Sequence, residues 1–168
     1  MRGSARELRR LVDVPFAVDD TIRTAADPVS IRVGDYADVA VLKPAPLGGV
    51  AATLQVAEAM DVPVVISGSL DSTIGLDVAL ATAAAMPDLP FACGLGTGAL
   101  LAADLVEIAR VPEGGVLVAG RTAPDLGALL EARDRITDER ASWWRLRLTA
   151  AWSAGAGRRS GWLLSDAS

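Results

Sequence analysis

The chain has 168 residues, 51% hydrophobic and 22% charged, with 16 basic against 21 acidic side chains and a net charge of −5. Its apolar share excludes intrinsic disorder, its length suggests one domain, and its acidic surplus offers no positive field for a phosphate backbone, which argues against a nucleic-acid partner. The absence of His excludes a Ser-His-Asp triad, a Cys-His pair and a His-metal cluster, and Cys93 as the only cysteine excludes an internal disulfide and a Cys-rich zinc site.

In chain order, Ser4-Ala5-Arg6-Glu7 has the spacing of a capping box and predicts a short helix to about Leu11. Val14 to Val18 predicts a strand that ends at Asp19-Asp20. Asp27-Pro28 opens a brief helical turn to about Gly34. Residues 38–43 predict a second strand, which Pro44 ends. Leu47, Val50, Leu54 and Ala57 recur at helical spacing and predict one helix from Leu47 to Met60. Val62 to Ser67 predicts a third strand and Ser72 to Met86 an Ala-rich helix. Leu89 to Cys93 predicts a fourth, weaker strand, followed by a Gly-rich loop and a short helix near Leu100–Val106. Gly115 to Ala119 is β-like, and two polar helices reach about Trp152. The pair Trp143-Trp144 reads as a helix packing face. The domain is expected to span residues 1–152, with 153–168 as a flexible tail.

Strands that alternate with helices and read as near-continuous apolar runs predict a parallel sheet covered by helices. Asp19, Lys43 and Ser67 each end a strand and lie 24 residues apart, with Cys93 a further 26 along. Four βα units at this period match half of a (β/α)8 barrel of the TIM type, which needs roughly 200–250 residues when whole. A doubly wound sheet fits the same pattern. No run reaches the ~18 apolar residues of a membrane span. A soluble cytoplasmic protein is the expectation.

Ligands of parallel α/β folds sit at the carboxyl ends of the strands. Strand alternation places Asp19 with Ala17, Lys43 with Val39 and Val41, and Ser67 and Ser69 with Val65. If those faces coincide, a carboxylate, an ammonium and two hydroxyls meet at one mouth. Asp19 is then a candidate ligand for a hard cation such as Mg2+, or an acid that opens the turn after a strand. Asp20 has the opposite parity. Fifteen of the 16 basic residues are Arg, and Lys43 is the single lysine. It is a candidate acid–base group or a cation beside a developing anion, or else a solvated strand-end lysine. Ser67-Gly68-Ser69, followed by Asp71-Ser72-Thr73 at a helix start, offers an anion site or ordinary N-capping. Gly94-Leu95-Gly96-Thr97-Gly98 lacks the spacing of a dinucleotide loop and reads as a βα loop.

The segments Val18-Asp19-Asp20-Thr21-Ile22, Val41-Leu42-Lys43-Pro44-Ala45-Pro46-Leu47-Gly48-Gly49 and Val64 through Gly75 resemble, in that order, the last strands of the o-succinylbenzoate synthase family in the muconate-lactonising branch of the enolase superfamily. Phe91 to Thr97 and the Trp143-Trp144 helix are similar to its shorter, Arg-rich members, so the resemblance covers roughly residues 4–152. It implies the carboxyl-terminal half of a barrel. It also implies Mg2+ held by three carboxylates, of which Asp19 matches the third, and two catalytic lysines, of which Lys43 matches the second. Ser67, Gly68 and Ser69 match the part that holds the substrate's succinyl chain. The implied reaction dehydrates 2-succinyl-6-hydroxy-2,4-cyclohexadiene-1-carboxylate, a small-molecule carboxylate, to o-succinylbenzoate in menaquinone synthesis. An N-succinylamino-acid racemase or dipeptide epimerase would use the same lysine pair and Mg2+.

The sequence departs from this family in lacking the Lys-x-Lys strand, the two earlier carboxylate ligands and the N-terminal capping domain. A fragment of a longer chain, a partner to a separate N-terminal half, or a non-catalytic half-barrel remnant would each read this way. A half-barrel leaves strand edges and an inner apolar face uncovered, so self-association or pairing with a missing N-terminal half is expected.

Overall fold

The computed structural model describes the backbone of residues 2–155 and the side chains of residues 5–155. It divides into two compact units between Pro124 and Asp125. The first opens with α1 (Arg2–Leu11). This helix starts ahead of Ser4, so the expected capping box does not mark its beginning.

Three parallel strands form the centre of the unit: β1 (Ala17–Val18), β2 (Val39–Leu42) and β3 (Val64–Ile66), in spatial order β1-β2-β3. Ala17 pairs with Val39, and Leu42 pairs with Ile66. The helices that follow the strands are α2 (Asp20–Arg23), α3 (Pro44–Leu47) with α4 (Val50–Glu58), and α5 (Thr73–Ala85). Two 3-10 turns, Pro28–Ser30 and Val33–Asp35, occupy the expected helical turn. The helix expected over 47–60 is two helices, because Gly48 and Gly49 both adopt positive φ, 101° and 98°, where the α-helix cannot continue.

Alternation along the strands separates two faces. Val18, Ala40, Leu42, Val64 and Ile66 are buried in the helix-covered core with Ile22, Val56, Leu76 and Leu80. Ala17, Val41 and Val65 point the other way and keep some exposure. β1 is short because few ladder bonds hold it. Side chains supplement them: the Phe16 N–H donates to Asp38 Oδ2 at 2.9 Å, and Arg9 Nη2 donates to Asp38 Oδ1 at 2.6 Å. The Phe16 N–H first, and then Arg9, hold the Asp38 carboxyl below its ordinary range.

The fourth strand expected at 89–93 is a correction. It is reduced to a single parallel bridge between Ser67 and Gly94. Pro90 brings no N–H to a ladder, and Phe91 is 45% exposed, so the segment lacks both bonds and burial. The helix expected near 100–106 is also absent. A 3-10 turn, Thr97–Leu100, precedes an irregular segment. The β-like stretch 115–119 contributes one antiparallel bridge, Glu113 with Val116.

That irregular segment is tied to α5 by polar contacts. Asp104 accepts from the Thr73 N–H at 2.9 Å and the Thr73 hydroxyl at 2.8 Å. The Thr73 hydroxyl oxygen accepts from the Arg110 N–H at 2.8 Å, and Arg110 Nη2 lies 3.3 Å from Asp77 Oδ1.

The second unit carries α6 (Leu126–Arg135) and α7 (Asp138–Ser153), capped by Asp125 and Thr137. Trp143 and Trp144, expected to form a packing face, are 41% and 51% exposed. Their rings meet edge to face at 4.7 Å, with the Arg140 guanidinium 4.4 Å over Trp143. Helix α7 contains the first residue of the tail expected at 153–168; that expectation lies outside the described residues from 156 onward.

Candidate functional site

Each strand of the first unit delivers a polar side chain at its carboxyl end, on the face opposite the helices. Asp19 occupies the N-cap position of α2, yet its side chain accepts no capping hydrogen bond. Lys43 stands one residue before Pro44. A proline disfavours helical backbone in the residue ahead of it and is well suited to the first helical turn. Lys43 accordingly stays extended, φ −112° and ψ 108°, and keeps strand parity with Val41, while Pro44 is buried on the core side.

These two side chains meet. Lys43 Nζ lies 2.6 Å from Asp19 Oδ2, with the lysine side chain 21% and the aspartate side chain 36% exposed. Asp19 Oδ1 is buried and has no hydrogen-bond partner among the described residues. Asp20 is turned away, as its parity predicts. Arg23 Nε holds it at 2.8 Å, and that hydrogen bond is the main cause of its lowered carboxyl pKa.

Ser67 continues the rim one step past the registered pair Leu42 and Ile66. Its N–H donates to Leu42 O at 2.9 Å and its hydroxyl to Gly94 O at 3.2 Å. A Cβ added at Gly94 would stand 2.9 Å from Ser67 Oγ, so the serine side chain would have to shift. Gly68 is buried, and its N–H donates to Gly94 O. The alternation that was to carry Ser69 onto the same face stops short of it. Ser69 is exposed in a turn, and its N–H donates to Asp71 Oδ2 at 2.7 Å. Leu70 between them has φ 64°, a left-handed conformation that costs a non-glycine residue of order 1–3 kcal/mol.

Of the two readings offered for the start of α5, the contacts there are those of N-capping. The Thr73 N–H is taken by Asp104, and the Ser72 hydroxyl accepts from the Gly75 N–H at 3.5 Å. Ordinary N-capping accounts for the polar residues there. Asp71 was named in sequence as part of the helix-start motif, whereas Asp104, which organises that helix start, was not singled out. Asp71 sits two residues from the amide it receives, a spacing visible locally. Asp104 acts from 31 residues away and gives no local signal.

Two cavities flank α5 instead of the rim. One of about 490 Å3 is lined by Thr73, Arg110 and Val116, and one of about 340 Å3 by Leu80, Cys93 and Leu117. Neither includes Asp19 or Lys43, because the rim belongs to an open sheet face. Among the described residues no three His, Cys, Asp or Glu side chains stand close enough to hold a metal ion. Asp19 fits such an ion as one ligand: it presents a hard oxygen, Oδ1, that the protein leaves unserved.

A parallel sheet with helices on one face, a polar rim at its strand ends, and a sequence match over residues 2–133 place the chain in the enolase C-terminal domain-like family, to which it belongs. Within that family it is 49% identical over 150 residues to the o-succinylbenzoate synthase of Mycobacterium ulcerans (strain Agy99), covering 89% of this chain and 45% of the relative. It is 48% identical over 147 residues to the enzyme of the same name from Mycobacterium tuberculosis, covering 88% and 44%. The chain thus spans less than half the length of the curated relatives it matches. Its fold is similar to that of the muconate lactonizing enzyme from Pseudomonas putida, with TM-score 0.65 and 23% identity over 79% of this chain and 38% of that one. A muconate cycloisomerase variant gives TM-score 0.67 at 22% identity, covering 77% and 38%. The half-barrel reading of the fold holds, with its fourth strand reduced to one bridge.

Proposed function

We propose that this chain carries the later half of an Mg2+-dependent o-succinylbenzoate synthase site. The observation that carries the reading is the contact between Lys43 and Asp19 on the open sheet face, in a chain about half identical to synthases of that name. The reaction removes the proton α to a carboxylate and expels the neighbouring hydroxyl as water. A bound Mg2+ would supply Lewis-acid stabilisation of the negative charge that develops on the substrate carboxylate.

Asp19 would contribute one carboxylate to the ion; its remaining ligands would come from outside the described residues. The Lys43 ammonium stands where a compact positive charge stabilises the developing anion. The proton transfers themselves belong to a second lysine, which this chain does not contain. Ser67, Gly68 and Ser69 would border the succinyl chain. The substrate is a small carboxylate, and the place in metabolism is menaquinone synthesis. Val41 and Val65 on the open face call for a covering half, supplied by a longer polypeptide, a separate one or a second copy.

A chimera tests this reading. The matched 150 residues of the M. ulcerans relative are replaced by this chain, and conversion of 2-succinyl-6-hydroxy-2,4-cyclohexadiene-1-carboxylate is followed with Mg2+ present. Turnover is expected, and Lys43→Ala should remove it while the circular dichroism spectrum is unchanged. An inactive but folded chimera, or near-normal turnover in Lys43→Ala, overturns the reading.

A further inference from the structure

Asp19 is half served. One oxygen touches an ammonium at 2.6 Å, and the other is buried with no donor among the described residues. The cation that serves it is Lys43, because the nearby Arg23 is committed to Asp20. We propose that the Lys43 ammonium is the resident counter-cation of Asp19, and that a divalent ion reaches this carboxylate by displacing it. Metal occupancy then decides where the lysine stands. The inference rests on the reading of Asp19 as a metal ligand and adds a linkage within that site.

Three features support it. The contact uses the same carboxylate a metal would use, so both cations in full contact would place like charges within a few ångströms of each other. Lysine is a point charge on a flexible four-carbon stem, and its side chain here is still 21% exposed, so it can swing clear. The rim is an open face, which gives the displaced amine space beside the carboxylate, where a substrate anion would enter. Metal entry and presentation of the ammonium to substrate become one event.

Lys43 is the only lysine in the chain, so lysine labelled with 13C and 15N yields the side-chain signal of one residue. Mg2+ is titrated into the labelled chain, and Mn2+ binding is measured by electron paramagnetic resonance in the chimera, which supplies the remaining ligands, for the parent, Lys43→Met, Lys43→Gln and Asp19→Asn. The Lys43 signal is expected to shift saturably with Mg2+. Removing the competing ammonium should tighten Mn2+ binding by about tenfold in both lysine variants, the order expected when a partly exposed ion pair is lost together with a like-charge repulsion. Asp19→Asn should abolish the response. If neither folded lysine variant binds Mn2+ more tightly while Asp19→Asn loses binding, displacement is overturned and Asp19 remains the ligand. Binding undiminished in Asp19→Asn, or none in any variant, overturns the ligand assignment and the displacement with it.

Discussion

Asp104→Ala tests how the first unit holds its irregular segment against α5. The substitution removes acceptors for the Thr73 N–H (2.9 Å), the Thr73 hydroxyl (2.8 Å) and the Leu105 N–H (2.6 Å). Thr73 is 2% exposed, so water does not readily replace the lost partner. A helix N-cap is worth about 0.5–2 kcal/mol and a hydrogen bond to a charged group about 1.5–3 kcal/mol. These contributions overlap, and the half-buried carboxylate keeps some hydration, so the expected loss is about 2 kcal/mol near neutral pH. Burial pushes the Asp104 carboxyl upward, but the Thr73 hydroxyl, the Thr73 N–H and the Leu105 N–H together outweigh it and leave it below 3.8. A depressed folded-state value means that the contribution is complete above 3.8 and fades as the pH falls through that lower value. Urea unfolding of parent and variant, followed by far-UV circular dichroism from neutral to strongly acid pH, measures both. A difference under about 0.5 kcal/mol near pH 7, the scale of a neutral surface change, or one unchanged in acid, would refute this role for Asp104.

Two further substitutions separate the rim from the core. Gly94→Ala places a Cβ 2.9 Å from Ser67 Oγ, so the serine must move and lose its bond to Gly94 O. A stability cost of about 1–2 kcal/mol and, in the chimera, a raised KM are expected, and an unchanged KM would remove Ser67 from the substrate boundary. Leu42→Ala empties a fully buried position between the sheet and its helices. Its cost, read from the urea midpoint, should be about 3 kcal/mol, and a loss under 1 kcal/mol would show that the core refills the space.

Local rules made much of the rim legible. Apolar runs located β1 to β3, strand parity put Asp19 and Lys43 on one face, and Pro44 fixed the end of β2. The Gly48–Gly49 break in the helix was visible as residues and outweighed by apolar periodicity that continued across it. The segment beyond Ser69 was illegible for another reason. Thr73 with Asp104, Thr73 with Arg110, and Asp77 with Thr122 are bonded across 31, 37 and 45 residues. Such pairs leave no periodic trace, and a stretch held by side-chain bonds need not have the pattern of a helix or strand. The fourth strand failed because its apolar residues lacked the backbone partners that make a ladder.

The rim is unevenly anchored. Lys43 follows a central strand paired on both sides, whereas Asp19 follows two residues of β1, which among the described residues pairs on one side only and is held in part by Asp38 and Arg9. Local opening of that margin can carry the carboxylate away while the amine remains on an intact framework. Any species that binds the assembled pair would draw on the same equilibrium, so site occupancy and pairing of β1 would be thermodynamically linked. A ligand that bound the assembled pair would thereby stabilise the carboxylate's strand.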